Sequence, residues 1–201
     1  MNTRIEKDFT FQAAVHFDNR FVLNIYELSL SMIVQTESIR EQNIAMDRMQ
    51  YFLNEVIENS IFVDQADTKA IEQYANAGIN ICMLPDQPFD QVISLVLLLK
   101  INAIMEDRMV ITDAVMGSKL SDGVRFVITD EMAEKTFGDA GWWNSPFPGL
   151  TKLEKNKGKK EKIVKMPNHK DWGSLGLSWK ESPVLGKDTP ILTLVESDRE
   201  P

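Results

Sequence analysis

The chain has 201 residues, of which 43% are hydrophobic and 26% charged, with a net charge of −8; this balance fits one ordinary soluble domain with an appendage, long enough to bury a sizeable core without covalent staples. The single cysteine, Cys82, excludes an intrachain disulfide framework and a thiolate zinc cluster, and its apolar setting, Ile79 to Leu84, reads as that of a buried structural thiol. Residues 1–150 carry 11 Lys+Arg against 22 Asp+Glu, whereas residues 151–201 carry 11 against 8, so the acidic body argues against nucleic-acid binding through the main domain.

The elements begin with a hairpin. Phe9, Phe11, Ala13, Val15 and Phe17 alternate onto one face, then Asp18-Asn19-Arg20 offers a tight turn, and Tyr26, Leu28, Leu30, Met32 and Val34 alternate again. Two arms, 8–17 and 21–36, are expected, the second unusually long. Helical spacing follows over 39–59, with Thr36 or Ser38 as N-cap and Glu41 completing a capping-box pattern with Ser38. Ile61 to Val63 is a short extended piece. A weaker helix is expected over 67–77, stopped by Gly78, and Ile79 to Leu84 reads as a strand or extended buried segment.

Pro85 to Pro88 breaks the chain, and 89–105 is a helix apolar on so many sides that it must be sandwiched, against the sheet and a neighbouring helix or subunit. Arg108-Met-Val-Ile-Thr-Asp113 is echoed by Arg125-Phe-Val-Ile-Thr-Asp130, with turn residues at Gly117-Ser118 and Ser121-Asp122-Gly123 between them; a second hairpin is the economical reading. From Gly138 periodicity stops. Trp142-Trp143 lies in a Pro- and Gly-rich stretch, and eight lysines crowd residues 152–170. Residues 138–201 are expected to form an aromatic, Pro- and Lys-rich arm, extended or ordered against a partner. Charged residues near the start leave no apolar core for a signal peptide, and the longest apolar run, Val92 to Leu99, is too short for a membrane span, so a cytoplasmic location without membrane contact is expected.

The order hairpin, helix, insertion (64–88), helix, hairpin and the run Lys7-Asp-Phe-Thr-Phe-Gln-Ala-Ala14 resemble the 6-pyruvoyltetrahydropterin synthase and 6-carboxytetrahydropterin synthase family. The resemblance implies a tunnelling fold over residues 1–137: α+β, with an antiparallel four-stranded sheet (ββααββ) carrying its helices on one face and subunits joined edge to edge in a homo-oligomer. The family's Leu-His-Gly-His run falls on Leu23-Asn24-Ile25-Tyr26, and its three zinc-binding histidines on Val15, Asn24 and Tyr26. The segment at the end of its first helix falls on Ile57-Glu58-Asn59, and its pterin-anchoring glutamate on Asp113. Zinc needs about three protein donors; with His16 on the opposite strand face and His169 the only other histidine, no family-type zinc site is expected and no cofactor is implied.

A fainter resemblance, over 47–62 and 102–113, is to small proteins of T4-like tailed phages of marine bacteria, which would place the chain in a host cytoplasm. Two functions are therefore expected as alternatives. One is a divergent, zinc-free pterin-synthase-like oligomer, non-catalytic or altered, binding a pterin or purine through Asp113, Glu58, Asn24 and Tyr26. The other is a phage structural or host-interaction protein that contacts protein or nucleic acid through its arm, with Trp142 and Trp143 as interface anchors and the lysine run as an electrostatic contact. His16 reads as an ordinary sheet histidine, and Asp113 and Asp130 as strand ends capping turns. No phosphate-cradling glycine loop or organised nucleophile is present, which ranks nucleotide-binding and hydrolase readings last.

Overall fold

The computed structural model describes residues 3–129, 137, 141–150 and 171–179. The hairpin is formed by β1 (Arg4–Phe17) and β2 (Arg20–Val34), paired antiparallel from Arg4 opposite Ile33 to Phe17 opposite Arg20. Its turn is only two residues. Asp18 and Asn19 both have positive φ, 52° and 57°, the backbone twist that a two-residue hairpin demands and that Asp and Asn tolerate best after glycine. As the alternation requires, Phe11, Ala13 and Val15 face the main core together with Tyr26, Leu28, Leu30 and Met32.

α1 (Ile39–Tyr51) starts at Ser38, whose hydroxyl accepts from the Glu41 amide. The Glu41 carboxylate turns instead to the Thr36 hydroxyl, at 3.0 Å, so the capping box is only half made. The helix then widens into a π-helical turn over Phe52–Ile57, closed by the Glu58 amide on the Leu53 carbonyl. β3 (Ile61–Asp64), α2 (Thr68–Asn76) and β4 (Ile81–Leu84) follow. Asp67 caps α2 by accepting from the Ala70 amide, and Gly78 closes it at a φ of +72°. α3 (Asp90–Met105) ends at Glu106 in the left-handed region, and β5 (Met109–Ser118) and β6 (Arg125–Thr129) form the second hairpin. Gly117 and Ser118 belong to β5 rather than to its turn. A β-carbon on Gly117 would stand 3.1 Å from the Arg125 side chain and 3.3 Å from the Val124 carbonyl, a close fit in which the arginine would have to shift.

Two expectations about the sheet are corrected. Among the described residues it has six strands, in the order β4-β3-β1-β2-β5-β6, not four, and it is mixed: β3 runs parallel to β1 at Ala14 and Val15, and β4 parallel to β3. The segment read as an insertion, 64–88, holds α2 and β4, which together with β3 form a strand–helix–strand unit that extends the sheet beyond β1. The two helices of the expected ββααββ order do share one face. α1 and α3 cover the main core, whereas α2 lies on the other side, where Ala70 and Tyr74 pack on Ala14, Ile61 and Val63. β3 is therefore buried on both faces, which is why Ile61-Phe62-Val63 reads as a continuous apolar run.

α3 is sandwiched, but by its own chain: it packs on β5, β6, α1 and the short 3₁₀ turn Trp142–Asn144. Leu150 and Trp172 join the same core, so the described parts of the arm are continuous with the body. No helix among the described residues is long and apolar enough to cross a membrane.

Candidate functional site

At the turn end of the hairpin, on the face of α1 and α3, the alternation of β1 and β2 sets Val15, Val22 and Asn24 side by side. The start of α3 brings Phe89 and Asp90 over them, and the second hairpin supplies Leu120 and Phe126. Together they enclose an open, mainly apolar cleft of about 320 Å³. Its rim is apolar too: Phe17 and Phe89 pack with ring centroids 5.3 Å apart, yet both, like Leu120, remain substantially exposed. The N-cap of α3, Phe89, has no side chain able to cap, so the first-turn carboxylate of Asp90 complements the helix dipole, and it accepts a hydrogen bond from the Ser118 hydroxyl.

Asn24 is the buried polar group of the cleft. Its Oδ1 accepts from the Ile25 amide at 2.9 Å and the Leu120 amide at 3.3 Å, tying the hairpin to the loop after β5. Among the described residues its Nδ2 has no hydrogen-bond partner, and neither does the hydroxyl of Tyr26 behind it; both atoms are buried. Tyr26 is fully buried, stacked on Phe11 at 5.1 Å and edge-on to Phe62 at 5.8 Å. Burial pushes its phenol well above the ordinary range. The nearby Asn24 side chain opposes this in part without making a hydrogen bond of ordinary geometry, and the charge of Asp90 adds to the rise.

Asn24 and Tyr26 thus share a face with Val15, as expected, but these three side chains do not make a zinc donor set. Val15 has no donor atom, Asn24 spends its oxygen on two amides, and the Tyr26 phenol resists ionisation. Among the described residues no group of three or more His, Cys, Asp or Glu side chains could hold a metal ion.

The other expected site residues lie elsewhere. Glu58 accepts from the Gln12 amide at 2.9 Å and so satisfies the edge of β1 just before β3 takes it over. Asp113 is on the opposite sheet face from Asn24 and Tyr26, because β5 slips past β2 by one residue between Ser31 and Met32. There it meets the Thr112 hydroxyl at 2.9 Å and Arg4 at 3.5 Å. His16 is on that face as well, with Nδ1 2.8 Å from the Tyr74 hydroxyl and Nε2 3.3 Å from Asp67, fastening α2 to β1. Trp142 and Trp143 are buried inside the chain. Trp142 donates to the Met83 carbonyl at 2.7 Å and so closes the outer edge of β4. Asp130, His169 and the lysine run lie outside the described residues.

Two buried cations escaped the sequence. Lys100 is fully buried in α3 and donates to the carbonyls of Trp142, Ser145 and Phe147; burial lowers its pKa to about 7, with Cys82 pulling the other way. Burial also drives the Cys82 thiol up, which keeps it inert. Arg48, in α1, lies between the rings of Trp172 and Trp179 and pairs with Glu106 at 2.9 Å. Burial lowers its pKa, and Glu106 opposes that.

No protein-family model and no curated protein matches the chain. Among solved structures, the chain is similar to an uncharacterised protein of Wolinella succinogenes, at 10% identity and a TM-score of 0.46, over 65% of this chain and 99% of that one. It is also similar to the 6-pyruvoyl tetrahydropterin synthase of Plasmodium vivax, at 9% identity and a TM-score of 0.42, over 64% of this chain and 97% of that one. A catalytic-residue mutant of the same enzyme aligns at 9% identity and a TM-score of 0.40, with the same coverage.

Proposed function

We propose that the chain is a divergent, zinc-independent relative of the pterin synthases, a homo-oligomer that binds a pterin- or purine-sized heterocycle in the cleft between Val15, Asn24 and Asp90 and does not carry out the family's reaction. The observation that carries this reading is the cleft itself. It forms at Val15 and Asn24, two of the positions where the resemblance puts the metal, and its volume of about 320 Å³ is at the small end of the ligand-pocket range. Apolar walls suit a flat ring, and the Asp90 carboxylate provides an acceptor for its polar edge, while the Asn24 amide lies buried beneath the floor of the cleft. The cleft residues include no histidine, cysteine or lysine to act as a base or nucleophile.

Assembly through sheet edges is supported by two stretches of strand that no described residue pairs. Among the described residues β6 closes one side of the sheet with Val127 exposed, and on the other side β3 covers β1 at Ala14 and Val15 alone. Unpaired edges of this kind invite strand addition. The apolar α3 is a poor candidate for the interface, since its own chain covers it. The alternative, a phage protein contacting its partners through the arm, loses Trp142 and Trp143 as displayed anchors.

Native mass spectrometry with metal analysis, followed by calorimetric titration with a pterin and a purine, tests the proposal. The expected result is a metal-free oligomer that binds at least one ring system and loses it when Leu120→Trp fills the cleft. Stoichiometric zinc with turnover of dihydroneopterin triphosphate would overturn it, as would binding that is indifferent to Leu120→Trp.

A further inference from the structure

Among the described residues Asp90 is the one charged side chain that lines the cleft. Its carboxylate accepts from the Ser118 hydroxyl, which joins the start of α3 to β5 and fixes one carboxylate oxygen. None of the ion pairs among the described residues includes it. Lys119, next in sequence to Leu120, is exposed and lies outside the cleft lining. The N-terminus of α3 offsets part of the charge. A helix end carries about half a unit of positive charge, so about half of the carboxylate's negative charge stays uncompensated beside apolar walls.

The lip of the cleft acts in the same sense. Phe17 and Phe89 stand there with their ring planes 55° apart, and they are 41% and 53% exposed. The face of an aromatic ring attracts a cation and also stacks on a flat ring. A neutral ring entering the cleft would take water from the carboxylate and leave it without a counter-charge, a cost that a cationic ring removes. An anion would meet Asp90 directly. The acidic excess of residues 1–150, 22 Asp+Glu against 11 Lys+Arg, concentrates cations near the surface.

We propose that the cleft takes a cationic heteroaromatic of two fused rings, an amino-substituted ring that is protonated at neutral pH, and that Asp90 is the residue that sets this specificity. This rests on the heterocycle-binding reading above and names the charge of the ligand. The test is calorimetric titration of the full chain with two probes of one shape. One is 4-aminoquinoline, a cation at pH 7; the other is 1-aminonaphthalene, which carries the same amino group on neutral rings. The cation should bind at least about tenfold more tightly. In Asp90→Asn, whose side-chain oxygen can still accept from Ser118, the two probes should bind within about threefold of each other. Asp90→Ser, which also suits a helix start, takes its place should the asparagine variant not fold. Equal binding of the two probes to the parent chain, or a preference that survives the loss of the carboxylate, overturns the proposal. Leu120→Trp keeps the two readings apart. Rings that bind in the cleft without regard to charge, and are lost in Leu120→Trp, refute the charge selection alone. Failure of probes, pterin and purine alike to bind, or binding indifferent to Leu120→Trp, refutes the heterocycle site and this proposal with it.

Discussion

Lys100 donates to the Ser145 carbonyl at 2.8 Å from the middle of an otherwise apolar helix, and the carbonyls of Trp142 and Phe147 share the same ammonium. One buried cation therefore holds the whole turn that seats Trp142. In Lys100→Met two effects oppose each other. Burying the amine costs up to about 5 kcal/mol at pH 7, from a pKa lowered to about 7, and each orphaned carbonyl costs about 1–3 kcal/mol. Three carbonyls together cost about 3–9 kcal/mol, so the global change should fall between about 2 kcal/mol of gain and about 4 kcal/mol of loss. The local effect is one-sided: amide exchange at Asn144, Ser145 and Phe147 should accelerate at least about tenfold, equivalent to about 1.4 kcal/mol of local opening. Unchanged exchange at those amides would show that the turn holds without Lys100.

The same lysine sets a pH dependence. Its folded pKa of about 7 lies below the unfolded value of 10.5, so between these limits the unfolded chain binds the extra proton and stability rises with pH. The slope reaches at most about 1.4 kcal/mol per unit. Cys82 works in the opposite sense, because its thiol is raised above 9.0 in the folded chain and stability is lost as the unfolded thiol ionises. Tyr26 adds to that loss above 10.0. Urea midpoints should climb from pH 7 to pH 9, level off and then fall; Lys100→Met should remove the climb, and Cys82→Ala should prolong it.

The hairpin was legible because alternation over Phe9 to Val15 and Tyr26 to Met32 states both the strand and its buried face, and the caps at Ser38, Asp67 and Gly78 are local chemistry. Strands β3 and β4 were legible as short extended pieces, but their place in the sheet was not. Three apolar residues at Ile61 to Val63 and four at Ile81 to Leu84 carry no period and name no partner, so neither the parallel pairing nor the second helical face could be read. Lys100 looked like the polar end of an apolar run because its acceptors stand 42 to 47 positions later. Arg48 likewise depends on rings more than 120 residues away, in a segment without periodicity. In the cleft, Asn24 came from the resemblance, but Asp90, Phe89 and Leu120 are joined to it only by the packing of α3 on the sheet.

Gly141 is required for space rather than for backbone freedom. Its φ of −152° is one that any residue adopts, but the Trp143 ring lies directly over its Cα where a β-carbon would stand. Gly141→Ala should displace that ring and cost about 1–3 kcal/mol, the usual range for overpacking. Thermal melts and near-UV circular dichroism, which reports the Trp142–Trp143 edge-to-face pair at 6.0 Å, should change together. A substitution without effect on either would mean that Trp143 packs elsewhere.

Tyr26→Phe separates a ligand role from a structural one. The hydroxyl is fully buried and among the described residues has no hydrogen bond of ordinary geometry, so its desolvation cost is offset only in part, by the nearby Asn24 side chain. The ring, by contrast, is held by Phe11 and Phe62, contacts that phenylalanine retains. Removing the oxygen should therefore raise stability, by about 1 kcal/mol, and should leave heterocycle binding in the cleft within about threefold of the parent, since Asn24 and not Tyr26 lines the cleft. Chemical denaturation and calorimetric titration of the same preparation check both halves. A stabilised protein that no longer binds would place the Tyr26 hydroxyl, reached through the unpartnered Asn24 amide, in the ligand's own hydrogen-bond network. A destabilised protein would show that the hydroxyl has a partner in solution, a bridging water between it and Asn24 being the chemistry that the two orphaned groups invite.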